Sequence, residues 1–163
     1  FDHYNQNLGF RSVEQLFLDD GWDSNEIWNL VVGDVNQSGV DEYAGSTGQD
    51  ILMAGIYDTN LYGGDGTDIM IGDNYGLKTT FELGNRESTW DQAVDIIQGF
   101  GASDELDLSN LGIESVSELT YVDNNLFDAA DGDKIAEFSN FNDGLTLEQL
   151  LTEDGAITYS GAA

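Results

Sequence analysis

Residues 36 to 71 divide into four nine-residue rows with no insertion: NQSGVDEYA from Asn36, GSTGQDILM from Gly45, AGIYDTNLY from Ala54 and GGDGTDIMI from Gly63. A partial row, GDNYG, opens at Gly72. The eighth place is always large and apolar: Tyr43, Leu52, Leu61 and Met70. The sixth is Asp41, Asp50, Thr59 and Asp68, and the fourth is Gly39, Gly48, Tyr57 and Gly66. A fixed short period means one structural unit stacked on copies of itself, which limits the fold more than any other feature here. Glycines let the backbone turn tightly and aim its carbonyls at a common point. The aspartate adds a carboxylate there, and an all-oxygen donor set selects calcium over transition metals. The eighth residue points into a core shared with neighbouring rows, because one row cannot bury it alone.

Composition narrows the classes. The 163 residues carry 32 acids against four bases, a net charge of −28. Such a chain repels itself when compact, and it repels nucleic acid and anionic membranes. Eight Phe, seven Tyr and three Trp within a 40% apolar composition still supply a core. With no cysteine, disulfides, thiolate catalysis and cysteine-bound metals are excluded. Twenty Gly and no Pro predict many turns with positive φ. No apolar run of membrane-spanning length and no N-terminal signal peptide is visible. Opening on FDHYNQNLGF without Met, the chain reads as a piece of a longer one.

The stretch GDVNQSGVDEY allows a second identity. Asp34, Asn36, Ser38, Gly39 and Glu42 are spaced like a calcium loop of the EF-hand or propeller-blade type, although Gly45 takes the place of the glutamate at loop position twelve. The segment serves as first row, as calcium-binding entry, or as both.

The rows resemble the nonapeptide of the RTX (repeats-in-toxin) family, G-G-x-G-x-D-x-U-x with U large and apolar. The resemblance implies a mainly β fold, a parallel β-roll or β-solenoid with two rows per turn and calcium ions between turns stacked on the same side. It places the rows at Gly45 and Gly63 on one side, with Gly45, Thr47, Gly48, Asp50, Gly63, Asp65, Gly66 and Asp68 as the calcium site. On the other side Asp41 meets the row of Thr59 and then Asp73, displaced from the motif. This register expects Asp68 to matter for folding and Asp58 hardly at all. VDIIQGFGASDELDLSNLGI, from Val94, resembles the segment that follows the nonapeptides in serralysin-type proteases and other type I secreted proteins. There Asp104 and Asp107 either hold a further calcium or only solvate a strand edge. The resemblance spans residues 34 to 163.

Three regions follow: 1–35 as an N-terminal helical and aromatic cap, 36–78 as the calcium-binding nonapeptide rows, and 79–163 as a C-terminal β-rich cap with a type I secretion signal. In the first, Ser12 and Gln15 form a capping box, Val13, Leu16 and Phe17 a stripe, and Gly21 a stop. Phe10, Trp22 and Trp28 either pack with that stripe on the first row or present an aromatic sugar platform. In the last, strands are expected at Thr79 to Leu83 and in LTYV, KIAEFSNF and AITYS, with TLEQLL a short helix capped by Thr146 and Gln149. The terminal AITYSGAA reads as the export signal.

The residues do not argue for an enzyme. His3 is the only histidine, no phosphate-cradling G-x-x-x-x-G-K-[ST] occurs, and Lys78, Lys134, Arg11 and Arg86 are scattered. The leading reading is a calcium-dependent folding and export module of a large secreted or surface adhesin of a Gram-negative bacterium. Its partners would be calcium and type I secretion machinery, with an extracellular surface ligand met through the parent protein, no nucleic acid, and a monomeric state. The alternatives are an accessory module of an extracellular protease, lipase or epimerase, and a ligand-binding adhesin module.

Overall fold

A computed structural model describes residues 29–32, 41–45, 48–73, 76–84, 94–141, 146–152 and 156–160. The expected N-terminal helical cap, the EF-hand-like loop from Asp34 to Gly39, and Thr47 lie outside the described residues. The fold is mainly β. β1 (Asn29–Val32), β2 (Asp41–Ala44), β3 (Asp50–Met53), β4 (Thr59–Tyr62), β5 (Ile69–Ile71), β6 (Thr79–Glu82), β7 (Asp95–Gln98) and β8 (Glu105–Asp107) alternate between two sheets. β9 (Leu119–Val122), β10 (Asn125–Asp128) and β11 (Lys134–Ser139) follow in the first sheet, then a short helix α1 (Leu147–Leu151), then β12 (Ile157–Thr158) in the second. The first sheet runs β1-β3-β5-β7-β11-β10-β9 and the second β12-β8-β6-β4-β2. All pairs are parallel except β10 with β9 and with β11.

Rows of nine become strands because each glycine-rich half turns and each apolar half extends. Two rows return the chain to the same sheet, so Leu52 lies opposite Met70 and Tyr43 opposite Leu61. The eighth-place residues line the interior: Leu52, Leu61 and Met70 have no exposed surface. The same inward columns continue beyond the rows. Ile97 and Phe138 extend the first, and Phe81 and Leu106 the second. Both sheets and one core cluster therefore cross residue 78, through the pairs β4–β6 and β5–β7.

The C-terminal part closes the core with aromatics. Phe100 packs 5.7 Å from Phe81 and 5.7 Å, edge-on, from Phe138, which stacks on Phe141. β9 and β10 are joined through Asp123 (φ 50°) and Asn124 (φ 63°), a two-residue hairpin loop with both centres left-handed. α1 carries the expected capping box: Thr146 N–H donates to Gln149 Oε1 at 2.9 Å, and Gln149 N–H to Thr146 Oγ1 at 3.3 Å. β12 seats on β8 through Leu106 N–H to the Ala156 carbonyl and Leu108 N–H to the Thr158 carbonyl, both 2.8 Å. Thr158 Oγ1 also donates to Glu105, which pairs with Lys78.

Burial pushes the Glu105 carboxyl up, but Lys78 and Thr158 together outweigh it and hold the group below its ordinary value of 4.5. A depressed folded-state value stabilises above the unfolded value, and that contribution is lost as pH falls through the folded one. The urea stability gap between the native chain and Glu105→Gln should be present at about pH 6 and shrink below about pH 4.5. Phe100→Ala should cost about 3–5 kcal/mol in the same assay, since it removes the centre of the aromatic chain.

Candidate metal centre

The site is built where the second sheet hands the chain to the first. The turns after β2 and β4 lead into Asp50 and Asp68, and the longer connection after β6 leads into Asp95. These carboxylates form a ladder. Asp68 Oδ1 accepts the Asp50 N–H at 2.8 Å, and Asp95 Oδ1 accepts the Asp68 N–H at 3.0 Å. The Asp68 carbonyl in turn accepts the Ile96 N–H at 2.8 Å. Asp68 and Asp95 thus each tie their rung to the one before it, and all three side chains are buried, Asp68 completely.

Glycine is what lets the turns stack. A Cβ on Gly45 would strike the Gly63 carbonyl oxygen and the Asp50 carboxylate. One on Gly63 would strike Asp68 Oδ2, and one on Gly66 the Gly48 carbonyl oxygen. Gly66 also has φ +111°, which side-chain-bearing residues rarely adopt. The two turns therefore bring backbone carbonyls and buried carboxylates together, with Asp65 half-buried on the outer turn. Among the described residues no cluster of three or more His, Cys, Asp or Glu side chains could hold a metal. A cation here would draw on glycine carbonyls as well as Asp50 and Asp68, a hard all-oxygen set suited to calcium. Burying carboxylates is costly without compensating charge. The described lysines sit elsewhere, Lys78 with Glu105 and Lys134 with Glu137, and the chain has no Lys or Arg between Arg11 and Lys78.

The opposite edge is different chemistry. Asp41 lies opposite Thr59, as the row register expects, but Thr59 lies opposite Thr79, not Asp73. Asp73 is buried in the turn after β5, where Gly72 N–H donates to the Gln98 carbonyl. Asp104 spends both oxygens on backbone, accepting Thr79 N–H at 2.9 Å and Gly101 N–H at 2.8 Å. Asp107 is at the other end of β8, where Oδ1 accepts the Ser109 N–H at 2.9 Å. The structure does not bring Asp104 and Asp107 together. Asp58, expected to be idle, accepts the Lys78 N–H at 3.0 Å from an exposed position.

Asp95 is the ladder member that the two-row return does not reach, because it stands 27 residues after Asp68 rather than 18, three periods of nine instead of two. Its signal was local: Asp95-Ile96-Ile97 repeats the pattern of Asp50-Ile51-Leu52 and Asp68-Ile69-Met70.

Gly66→Ala should destabilise by about 3 kcal/mol or more, from positive φ plus the Gly48 carbonyl. Gly76→Ala, at φ +77° with nothing within 4 Å of the new Cβ, should cost only about 1–2 kcal/mol. Urea midpoints of the two variants check the stacking directly.

Compared with family models, with curated proteins and with solved structures, the chain finds no match in any of the three.

Proposed function

We propose that the chain is a calcium-folded module of the RTX type, a parallel β-roll that leaves the cell unfolded through a type I channel and folds outside, as part of a large secreted or surface adhesin. The observation that carries this reading is the buried ladder of Asp50, Asp68 and Asp95 beside glycine turns whose carbonyls stack. Alternation of parallel strands between two sheets at an 18-residue return supports the roll. The net charge of −28 supports a fold that waits for cations.

Calcium, when bound, supplies positive charge to oxygens that the chain has already drawn out of water. The residues do the rest. Asp50 and Asp68 present carboxylates at the turn ends, the glycines allow the carbonyls to approach, and Leu52, Leu61 and Met70 bury once adjacent rungs meet. At submicromolar calcium the acids repel and the turns stay apart. Extracellular calcium modules bind with dissociation constants of about 0.1–1 mM, so each site adds about 0.6–1.8 kcal/mol at ~2 mM calcium. A few linked sites reach the ~5 kcal/mol typical of a small domain. Folding outside then opposes return through the channel.

A calcium titration from a chelated start, followed by far-UV circular dichroism with magnesium as control, tests the reading. A cooperative gain of β signal in calcium alone is expected, with Asp68→Asn raising the midpoint severalfold and exposed Glu114→Gln leaving it within twofold. A fold complete in chelator, or equal midpoints for the two variants, would sink it.

A further inference from the structure

The last strand of the second sheet is held by few contacts, and its partners lie far back along the chain. β12 is two residues long and forms the edge of that sheet beyond β8. The Ala156 and Thr158 carbonyls accept Leu106 and Leu108 N–H at 2.8 Å, and Ser160 N–H donates to the Ile113 carbonyl at 2.7 Å. Ala156 is buried, while Ile157 and Tyr159 are half-buried against the core. A short edge element with so little buried surface belongs to the low end of local stability. Its side-chain clamp is Thr158 Oγ1 on Glu105, 53 residues earlier, and Glu105 in turn holds Lys78 Nζ. Lys78 is placed from elsewhere. Its N–H donates to Asp58 Oδ1 at 3.0 Å and its carbonyl accepts Thr59 N–H at 2.9 Å, which ties it to the third nine-residue row. Its neighbours are tied forward to the approach to β8. Ser103 Oγ donates to the Leu77 carbonyl at 3.3 Å, and Thr79 N–H to Asp104 Oδ1 at 2.9 Å. The row therefore positions the backbone of Lys78, and its ammonium goes to Glu105. Fully exposed ion pairs hold little, but the Glu105 side chain is only 18% exposed, so water serves it poorly.

We propose that residues 156–160 are a strap that opens without the rest of the fold, and that Lys78 makes its seating conditional on the row turn at Asp58 and Thr59. Order in the row fixes Lys78, Lys78 holds the Glu105 carboxylate, and that carboxylate gives Thr158 its acceptor. With the row unformed the strap loses its clamp, and AITYS is open to a partner that reads extended backbone. With the row formed, its carbonyls are taken up by β8 and its apolar side chains by the core. Under the function proposed above, folding of the rows outside the cell thereby withdraws the C-terminal stretch from the export channel. That consequence rests on the export reading, whereas the strap rests on these contacts alone.

Amide hydrogen exchange of the full chain in calcium-containing buffer, read residue by residue by NMR, is the test. Lys78→Met keeps the aliphatic length and removes the charge. It should speed exchange at the Leu106, Leu108 and Ser160 amides by about threefold to tenfold and leave Met70, inside the first sheet, within about twofold. Lys78→Arg should restore the native rates. Lys134→Met makes the same charge change in the pair with Glu137 and should leave all four amides within about twofold. Asp58→Ala should reproduce the effect of Lys78→Met and add nothing to it, because both break one relay. Unchanged strap amides in Lys78→Met, an equal effect of Lys134→Met, or additive effects of Asp58→Ala and Lys78→Met would overturn the proposal. So would a Met70 amide that speeds up with the other three, since the strap would then open only with the whole fold. A chain that folds fully in chelator would end the calcium reading, and these exchange rates would still decide on the strap.

Discussion

Everything along the first edge depends on one hydrogen bond repeated, from the backbone N–H of one aspartate to the carboxylate of the aspartate one rung later. It does two jobs. It satisfies a backbone donor at the point where a strand begins, and it fixes the rung spacing so that Leu52 lands opposite Met70 and Ile69 opposite Ile96. The same bond that sets the register also places one acidic side chain above another along the edge. Glycine follows from this geometry: with rungs held so close, Gly45, Gly63 and Gly66 have no room for a Cβ. Register, charge and glycine usage are three consequences of one contact.

The opposite edge shows what happens when the carboxylate is replaced. Thr59 and Thr79 keep the strand register, and Thr59 turns its hydroxyl to the Tyr57 carbonyl at 2.7 Å. Backbone donors are still met by acids of the neighbouring rung, with Asp58 serving Lys78 at 3.0 Å and Asp104 serving Thr79 at 2.9 Å. Stacking survives, so an acceptor from the neighbouring rung suffices for the parallel winding whichever residue supplies it.

Much of this was legible because tight turns preserve spacing. Where each turn takes only a few residues, the nine-residue columns predicted the interior places of Leu52, Leu61 and Met70, and the resemblance to the RTX nonapeptide implied the alternation of rows and the common side of the Gly45 and Gly63 turns. The capping box of Thr146 and Gln149 was legible too, being local chemistry. What escaped was non-local or lacked its usual marker. The connection between Leu83 and Val94 adds a third period of nine to one rung, so Asp95 misses the 18-residue return although its bond to Asp68 matches the earlier rung. The β9–β10 hairpin turns on Asp123 and Asn124 rather than on glycine, so nothing flagged a turn in YVDNNLF. Thr79 was readable as a strand residue, but only the 20-residue return from Thr59 places it on the edge instead of Asp73.

The few bases all stand outside the nine-residue rows. Lys78 sits where the last glycine-rich turn meets β6, bound to the glutamate that also holds β12, and Lys134 opens β11 beside Glu137. Both serve strands added after the rows, in the part of the chain where aromatic packing through Phe81, Phe100 and Phe138 already supplies cohesion. The rows themselves have small cores and no base of their own. Within one continuous pair of sheets, the chain therefore joins rows that bury Asp50 and Asp68 with no base of their own to a C-terminal part that holds the Lys78–Glu105 and Lys134–Glu137 pairs and the aromatic chain.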